Sequence, residues 1–415
     1  MTVTKENVKR FNFAKKPKRP GFLLNVAKEL ISKPDLKKRG FQLTKTGMET
    51  IQGPYLLLVT HSSMVDFNLM LVATEPNLVS NVMTLEGFRD YTEPLMRHLG
   101  VLGTRKFVQD IHLIKNMKYC VEELGTIFAL YPEARYSLDG CTSYLPDSLG
   151  KMVKILNVPV AVLKIHGNFV TCPQWNKINK KTYVEAELKC ILSAKDVKEQ
   201  SHQEINQLIR EHFVYDDFKW QYDNKIKIDH PQRAKGLHSL LYKCACCKTE
   251  GKMHSEGIRL WCESCNKAWE MDEYGRLQAV EGVTEFSHIP DWSNWERECV
   301  KQEILEGTYY FEDTVRVETL PGSTRFYKQG EGKLIQTITE TRLQCNYYGE
   351  EYTLVKSAKS LESMHIEYDY HKHGDCVDIS VPEDSFWCYL SKRDAITKLS
   401  FATEEIHKLA MAKNN

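Results

Sequence analysis

Tyr55-Leu56-Leu57-Leu58-Val59-Thr60-His61-Ser62-Ser63-Met64-Val65-Asp66 is the stretch on which the fold turns. Tyr55 to Val59 is apolar without a break. A strand with one wet face alternates polar and apolar residues, whereas one covered on both faces does not. The run therefore predicts a buried strand inside a layered α/β sheet. Polar residues follow, and from Ser62 to Ala73 the pattern takes a helical period.

Working outward, strand and helix patterns alternate. Leu78 to Met83 reads as a strand. Val108 to Leu124 reads as a helix, with Ile111, Ile114, Val121 and Leu124 on one face. Thr126 to Tyr131 is a strand closed by Pro132, and Leu149 to Leu156 is a helix. Val158 to Leu163 is a strand, Lys181 to Leu192 a more exposed one, and Glu204 to Phe213 a closing helix. The alternation predicts an α/β domain over 41–225, with a mixed, largely parallel sheet and helices on its faces.

His61 sits where the buried strand ends and a helix begins. Carboxyl ends of strands in open α/β sheets border the crevice in which ligands bind. A neutral imidazole there can take a proton from a substrate hydroxyl, and a carboxylate on its other nitrogen fixes the tautomer. Asp66 has the spacing for that partner. By itself H-x4-D is a short pattern, and a single histidine at a strand end is more often structural.

Three further blocks follow in order: Gly103-Thr104-Arg105-Lys106-Phe107, Tyr131-Pro132-Glu133-Ala134-Arg135-Tyr136-Ser137 and Val158-Pro159-Val160. With His61 to Asp66 they resemble the four blocks of the lysophosphatidic acid acyltransferase family, the glycerolipid acyltransferases with the H-x4-D signature. The resemblance covers roughly 40–215. It implies acyl transfer from acyl-CoA or acyl carrier protein to the hydroxyl of a lysophospholipid, with 1-acyl-sn-glycerol 3-phosphate as the default acceptor and phosphatidic acid as the product. His61 would be the general base and Asp66 its orienting partner. Arg105, Glu133 and Arg135 would hold the acceptor, and Pro159 would shape the acyl or acceptor pocket. The chain departs from the family in three places. Thr60 stands where the family often has Asn, the third block reads E-A-R-Y in place of E-G-T-R, and no second proline follows Val160.

Cys244-x2-Cys247 and Cys262-x2-Cys265 form two knuckles separated by 14 residues. That spacing predicts one structural Zn²⁺ held by four thiolates in a zinc ribbon over 240–280. Cys246 lies inside the first knuckle but outside the C-x2-C pattern. Trp261 and Trp269 are expected to pack the ribbon. Residues 243–277 carry six Lys/Arg and six Asp/Glu, so no grip on nucleic acid is expected, and docking of a protein partner fits better.

Residues 300–415 change character. About seven short strand patterns lead to Phe386–Leu390, and a helix follows from Asp394 to Lys408. This β-rich domain weakly resembles a pleckstrin-homology-like barrel, which would make it a membrane- or partner-binding module. His365, His371 and His373 are expected to be solvated in a polar loop.

The chain has 415 residues and a formal charge of +1. Residues 1–50 hold 13 Lys/Arg against 4 Asp/Glu, so this end is basic. Within 1–40, Phe22, Leu23, Leu24, Val26, Leu30 and Ile31 fit a basic amphipathic helix that can lie on an anionic membrane surface. There is no run of 18 apolar residues and no secretory signal in Met1–Pro20. Thirteen cysteines with four in metal spacing fit a reducing compartment. The expectation is a cytoplasmic enzyme on the inner face of a membrane. The rival class is a catalytically idle lipid- or protein-binding adaptor on the same fold, which would not need both His61 and Asp66.

Overall fold

The computed structural model describes residues 3–63, 65–89, 92–392 and 394–412. Met64, inside the histidine–aspartate stretch, lies outside them. The first sheet has seven strands: β1 (Gln42–Thr46), β2 (Leu56–Val59), β3 (Val79–Thr84), β4 (Val101–Thr104), β5 (Ile127–Leu130), β6 (Val160–His166) and β7 (Glu185–Leu192). Their order is β1-β7-β6-β2-β5-β3-β4. Strands β2 to β6 run parallel, and β7 runs antiparallel to β6 while pairing in parallel with β1.

The apolar run of β2 is explained by two layers. Leu57 and Val59 pack with the helix Asp66–Ala73 on one face. Leu56 and Leu58 pack on the other with residues of the helices Ile111–Glu122, Leu149–Leu156 and His202–His212. Those helices start where the sequence provides caps. The Asp110 carboxylate accepts from the His112 amide, and Ser201 with Glu204 closes a capping box. Gly150 lets the helix Leu149–Leu156 approach the start of the helix His202–His212, since a Cβ there would come within 2.1 Å of the His202 carbonyl oxygen.

The ribbon strands β8 (Met253–Glu256), β9 (Arg259–Cys262), β10 (Ala268–Met271) and β11 (Leu277–Ala279) form a small antiparallel sheet. The third sheet is antiparallel, ordered β15-β14-β13-β12-β18-β17-β16. Its strands are β12 (Phe311–Thr319), β13 (Tyr327–Gln336), β14 (Glu340–Tyr347), β15 (Glu350–Ser357), β16 (His365–Glu367), β17 (Cys376–Ser380) and β18 (Ser385–Leu390). The helix Ile396–Ala412 follows.

Beside the two apolar layers of the first sheet, a third cluster is shared between the units. One apolar cluster runs from Phe169 and Trp175 through Trp269 of the ribbon and Trp292 of the helix Ile289–Leu305 to Val315, Leu334 and Phe401. Trp269 is fully buried and meets Trp292 edge-on at 4.8 Å, whereas Trp261 is half-buried. The helix expected from Ser62 begins at Asp66, because Ser62 and Ser63 form a turn whose amides bind the Asp66 carboxylate.

Candidate active site and metal centre

Strand β2 leaves the sheet at Thr60. The Thr60 amide still donates to the Leu163 carbonyl of β6, but the Ile165 amide donates to the Thr60 hydroxyl, at 3.1 Å. The side chain thus replaces the main-chain acceptor of the next rung, and His61 is free to turn out of the ladder. The third sequence block then grips His61 from both ends. Its amide donates to Glu133 Oε2 at 2.9 Å, and its carbonyl accepts from the Ser137 amide at 2.8 Å. The imidazole lies between the rings of Tyr131 and Tyr136, with centroids at 4.3 and 4.2 Å.

His61 Nδ1 is 2.9 Å from Asp66 Oδ2. The same oxygen accepts from the amides of Ser62 and Ser63 at 2.7 and 3.1 Å. The other oxygen, Oδ1, accepts from Asn168 Nδ2, and Asn168 Oδ1 accepts from the Ser63 hydroxyl at 2.7 Å. Four donors around a buried aspartate favour its ionised form, while burial pushes its pKa up. Burial pulls the His61 pKa down, against the pull of Asp66 in the other direction. A neutral imidazole in this place directs its Nδ1–H at Asp66 Oδ2. Nε2 is left to take a proton, and the side chain keeps 20 % of its surface exposed.

Glu133 is buried and serves the base from behind. Besides the His61 amide it accepts from the Ser143 amide at 2.6 Å and the Tyr215 hydroxyl at 3.0 Å. Burial raises its pKa to about 7. Arg135 is also buried, with Nη2 2.7 Å from Glu404 of the C-terminal helix. Arg105 is held by the β-rich domain. Its Nη1 donates to the Leu320 carbonyl and the Ser385 hydroxyl at 2.8 and 2.7 Å, and its Nη2 to the Pro321 carbonyl at 2.8 Å. Pro159 precedes β6, at the amino-terminal edge of the sheet. Its carbonyl accepts from the Leu56 amide. In the β2–β6 register it lies some six residues below His61, roughly 20 Å at ~3.3 Å per residue. The structure thus brings His61, Asp66 and Glu133 together, ties Arg105 and Arg135 to the C-terminal region, and leaves Pro159 at the far edge. A cavity of about 540 Å³ lined by Arg19, Lys45, Tyr55 and Glu75 also opens at that far edge, away from His61.

No sequence signal points to Asn168, which is 102 residues from the carboxylate it binds. His365 also departs from expectation. It is buried on β16, with Nε2 3.3 Å from Glu367 and Nδ1 3.9 Å from Asp378, because β16 pairs with β17 and turns it inward. His371 and His373 are exposed.

The four ribbon cysteines converge, with all sulfurs within 4.8 Å of one another. Cys244 Sγ to Cys265 Sγ and Cys247 Sγ to Cys262 Sγ are each 3.7 Å. A tetrahedron with ~2.3 Å Zn–S bonds has edges of about 3.8 Å, so the donor set fits zinc in type and spacing. The two knuckles share one backbone form. Lys248 and Asn266, each just after a second cysteine, both have positive φ, and the amides of Cys244 and Cys262 close the turns onto Thr249 and Lys267. Cys246 is exposed and is not part of the cluster.

No family model matches the chain, and no curated protein matches it. Among solved structures it is similar to the 1-acyl-sn-glycerophosphate (LPA) acyltransferase PlsC of Thermotoga maritima, at 18 % identity and a TM-score of 0.34, over 46 % of this chain and 79 % of that one. At that TM-score the similarity assigns neither fold nor activity.

Proposed function

We propose that the chain transfers a fatty acyl group from a thioester carrier, acyl-CoA or acyl carrier protein, to a hydroxyl of a lysophospholipid. The observation that carries this reading is the His61–Asp66 pair: a neutral, partly exposed imidazole oriented by a buried carboxylate with four donors. No protein nucleophile is required. Nε2 takes the proton of the acceptor hydroxyl as its oxygen attacks the thioester carbonyl. The tetrahedral intermediate collapses with cleavage of the C–S bond, and the imidazolium returns the proton to the leaving thiolate. A base placed in this way contributes roughly 10²–10⁴ in rate.

Glu133 enters through the main chain of His61, not through the substrate. Zinc, when bound by Cys244, Cys247, Cys262 and Cys265, has no open coordination position and would brace the ribbon. Access to lipid would come through the N-terminal helical segment. Phe22 and Leu30 are 79 % and 72 % exposed, and Leu23 and Ile31 are exposed beside them, in a segment flanked by lysines. Such a face suits the interface of an anionic membrane. Among the described residues no helix is long and apolar enough to cross a membrane. The strand order of the third sheet and its closing helix support the pleckstrin-homology-like reading of that domain, as a second membrane or protein contact.

The test is the purified full chain with a panel of lysophospholipids and either acyl-CoA or acyl carrier protein, read by mass spectrometry. Wild type should form a diacyl product, and a folded His61→Ala chain should form none above background. Wild-type turnover by that variant rules out the mechanism. No product from wild type with any acceptor favours the idle adaptor.

A further inference from the structure

The carboxyl ends of β2, β5, β3 and β4 lie side by side on one rim of the first sheet. His61 follows β2, Tyr136 follows β5, Glu86 follows β3 and Lys106 follows β4. Thr84 and Thr104 are in register, so Glu86 and Lys106 meet just beyond them, 3.2 Å apart and only 16 % and 11 % exposed. The β-rich domain faces this rim. Its Leu320, Trp387 and Tyr389 pack on Phe11, Leu85 and Phe88. It presents Glu367, 15 % exposed and backed by the buried His365. Beside burial, Lys106 and His365 lower the His61 pKa, and Glu367 and Glu86 raise that of Tyr136, whose ring lies tilted against His61.

This rim therefore faces an acceptor with the carboxylates of Glu86 and Glu367, with Lys106 already paired with Glu86 and with Lys177 acting on Glu367 from the other side. The two arginines that could have balanced a phosphate dianion are spent on Leu320, Pro321, Ser385 and Glu404. A phosphomonoester would meet these two carboxylates on largely buried side chains, where like charges are poorly screened.

Resting on acyl transfer at His61, we infer that the acceptor carries no net negative charge, and that Glu86, Lys106 and Glu367 select it across the interface between the two domains. A neutral polyol head group finds donors and acceptors here without breaking the ion pair. A zwitterionic head group places its ammonium near the carboxylates and its phosphodiester near Lys106. Glu367 and Glu86 are specificity residues, and His365 is a positioning residue acting through Glu367.

The experiment compares three acceptors of one acyl chain in neutral detergent micelles: 1-acylglycerol 3-phosphate, 1-acylglycerophosphocholine and monoacylglycerol. Wild-type kcat/KM should be at least tenfold higher for one of the two uncharged-overall acceptors than for the phosphomonoester. Glu367→Gln and, separately, Glu86→Gln should narrow that ratio severalfold, through KM, in chains whose circular dichroism shows them folded at the assay temperature. His365→Gln should narrow it less, and only while Glu367 is present. Equal or better use of the phosphomonoester by wild type overturns the inference, as does a ratio that neither glutamine variant moves. Binding of the three lysolipids to the His61→Ala chain, followed by tryptophan fluorescence, separates the two claims. If the head-group order holds in binding but wild type makes no product, the chemistry fails and the selectivity stands. If product forms with the opposite order, the selectivity alone fails.

Discussion

Asn168 is buried, and its side-chain amide makes two hydrogen bonds, one to Asp66 and one from Ser63. A hydrogen bond to a charged group contributes about 1.5–3 kcal/mol. Expressed in the rate, that is roughly 10- to 100-fold, so Asn168→Ala should lower kcat by that range with little change in KM, measured by steady-state kinetics. Glu133 sets the pH response. With a pKa of about 7 it gains a proton as pH falls through neutrality. An oxygen carrying that proton cannot go on serving all of its three donors, so the His61 main chain loosens. His61 itself titrates below its usual range, so it is still a base there. The acidic limb of kcat should therefore fall near pH 7 and report Glu133. Glu133→Gln should lower the plateau and remove that limb, and a limb unmoved by this variant contradicts the assignment. Ala134, between Glu133 and Arg135, sits at φ 55°, in the left-handed region. A non-glycine residue there costs about 1–2 kcal/mol, part of which glycine returns in chain entropy. Ala134→Gly should raise the melting temperature slightly, by a net ~0.5–1 kcal/mol. At this scale the contact between His61 and Asp66 was legible from the four blocks read together. Asn168 and the acceptors of Arg105 were not, because their contacts span from 102 to more than 200 residues.

Elements were legible where one period dominated. Leu149–Leu156 begins and ends where its apolar face predicts, and β2 follows from its unbroken apolar run. The reversed direction of β7 was not, since alternation along a strand carries no information about the direction of its neighbour. The N-terminal segment is helical from Phe22, with a π-helical stretch at Lys28–Ser32 where Lys28 turns in to pair with Glu75 at 2.9 Å. Leu24 and Leu36 face the core, leaving Phe22, Leu23, Leu30 and Ile31 outside. Replacing these four by serine should weaken sedimentation with anionic vesicles at least about tenfold, since each apolar side chain buried contributes up to ~1.5–3 kcal/mol. Secondary structure by circular dichroism should be unchanged. The ribbon should hold about one zinc per chain by metal analysis. A Cys262→Ser/Cys265→Ser chain should hold none, and full occupancy there rejects these ligands.

Across the whole molecule, one buried ionic network ties the first domain to the last helix. Glu404 takes Arg135 at 2.7 Å, Arg297 at 2.8 Å and the Ser363 hydroxyl at 2.7 Å. Burial alone would raise its pKa, but the two arginines prevail and hold it far below the carboxylate range. Its contribution to stability is thus fully present above the ordinary carboxylate pKa, and is lost as pH falls toward its own much lower value. Glu404→Gln strands the Arg135 guanidinium, while Arg297 keeps Glu405 at 3.2 Å; breaking a buried pair costs about 3–5 kcal/mol. A single shifted transition in denaturant would show that the domains unfold together, as their continuous apolar cluster requires. Separate transitions would refute that. The succession of an α/β sheet, a cysteine cluster and a β-rich sheet was legible from pattern and spacing, whereas the shared cluster was not, because each unit's apolar residues look sufficient when read alone.

The wiring of Arg105 has a consequence for the way the chain is made. Its acceptors lie between residues 320 and 385, and the partner of Arg135 is residue 404. A ribosome reads the His61–Asp66 stretch well before those partners. Until residue 404 has been made, the nascent first domain carries two guanidinium groups that have not met their partners, and it acquires its final electrostatic character only after that residue.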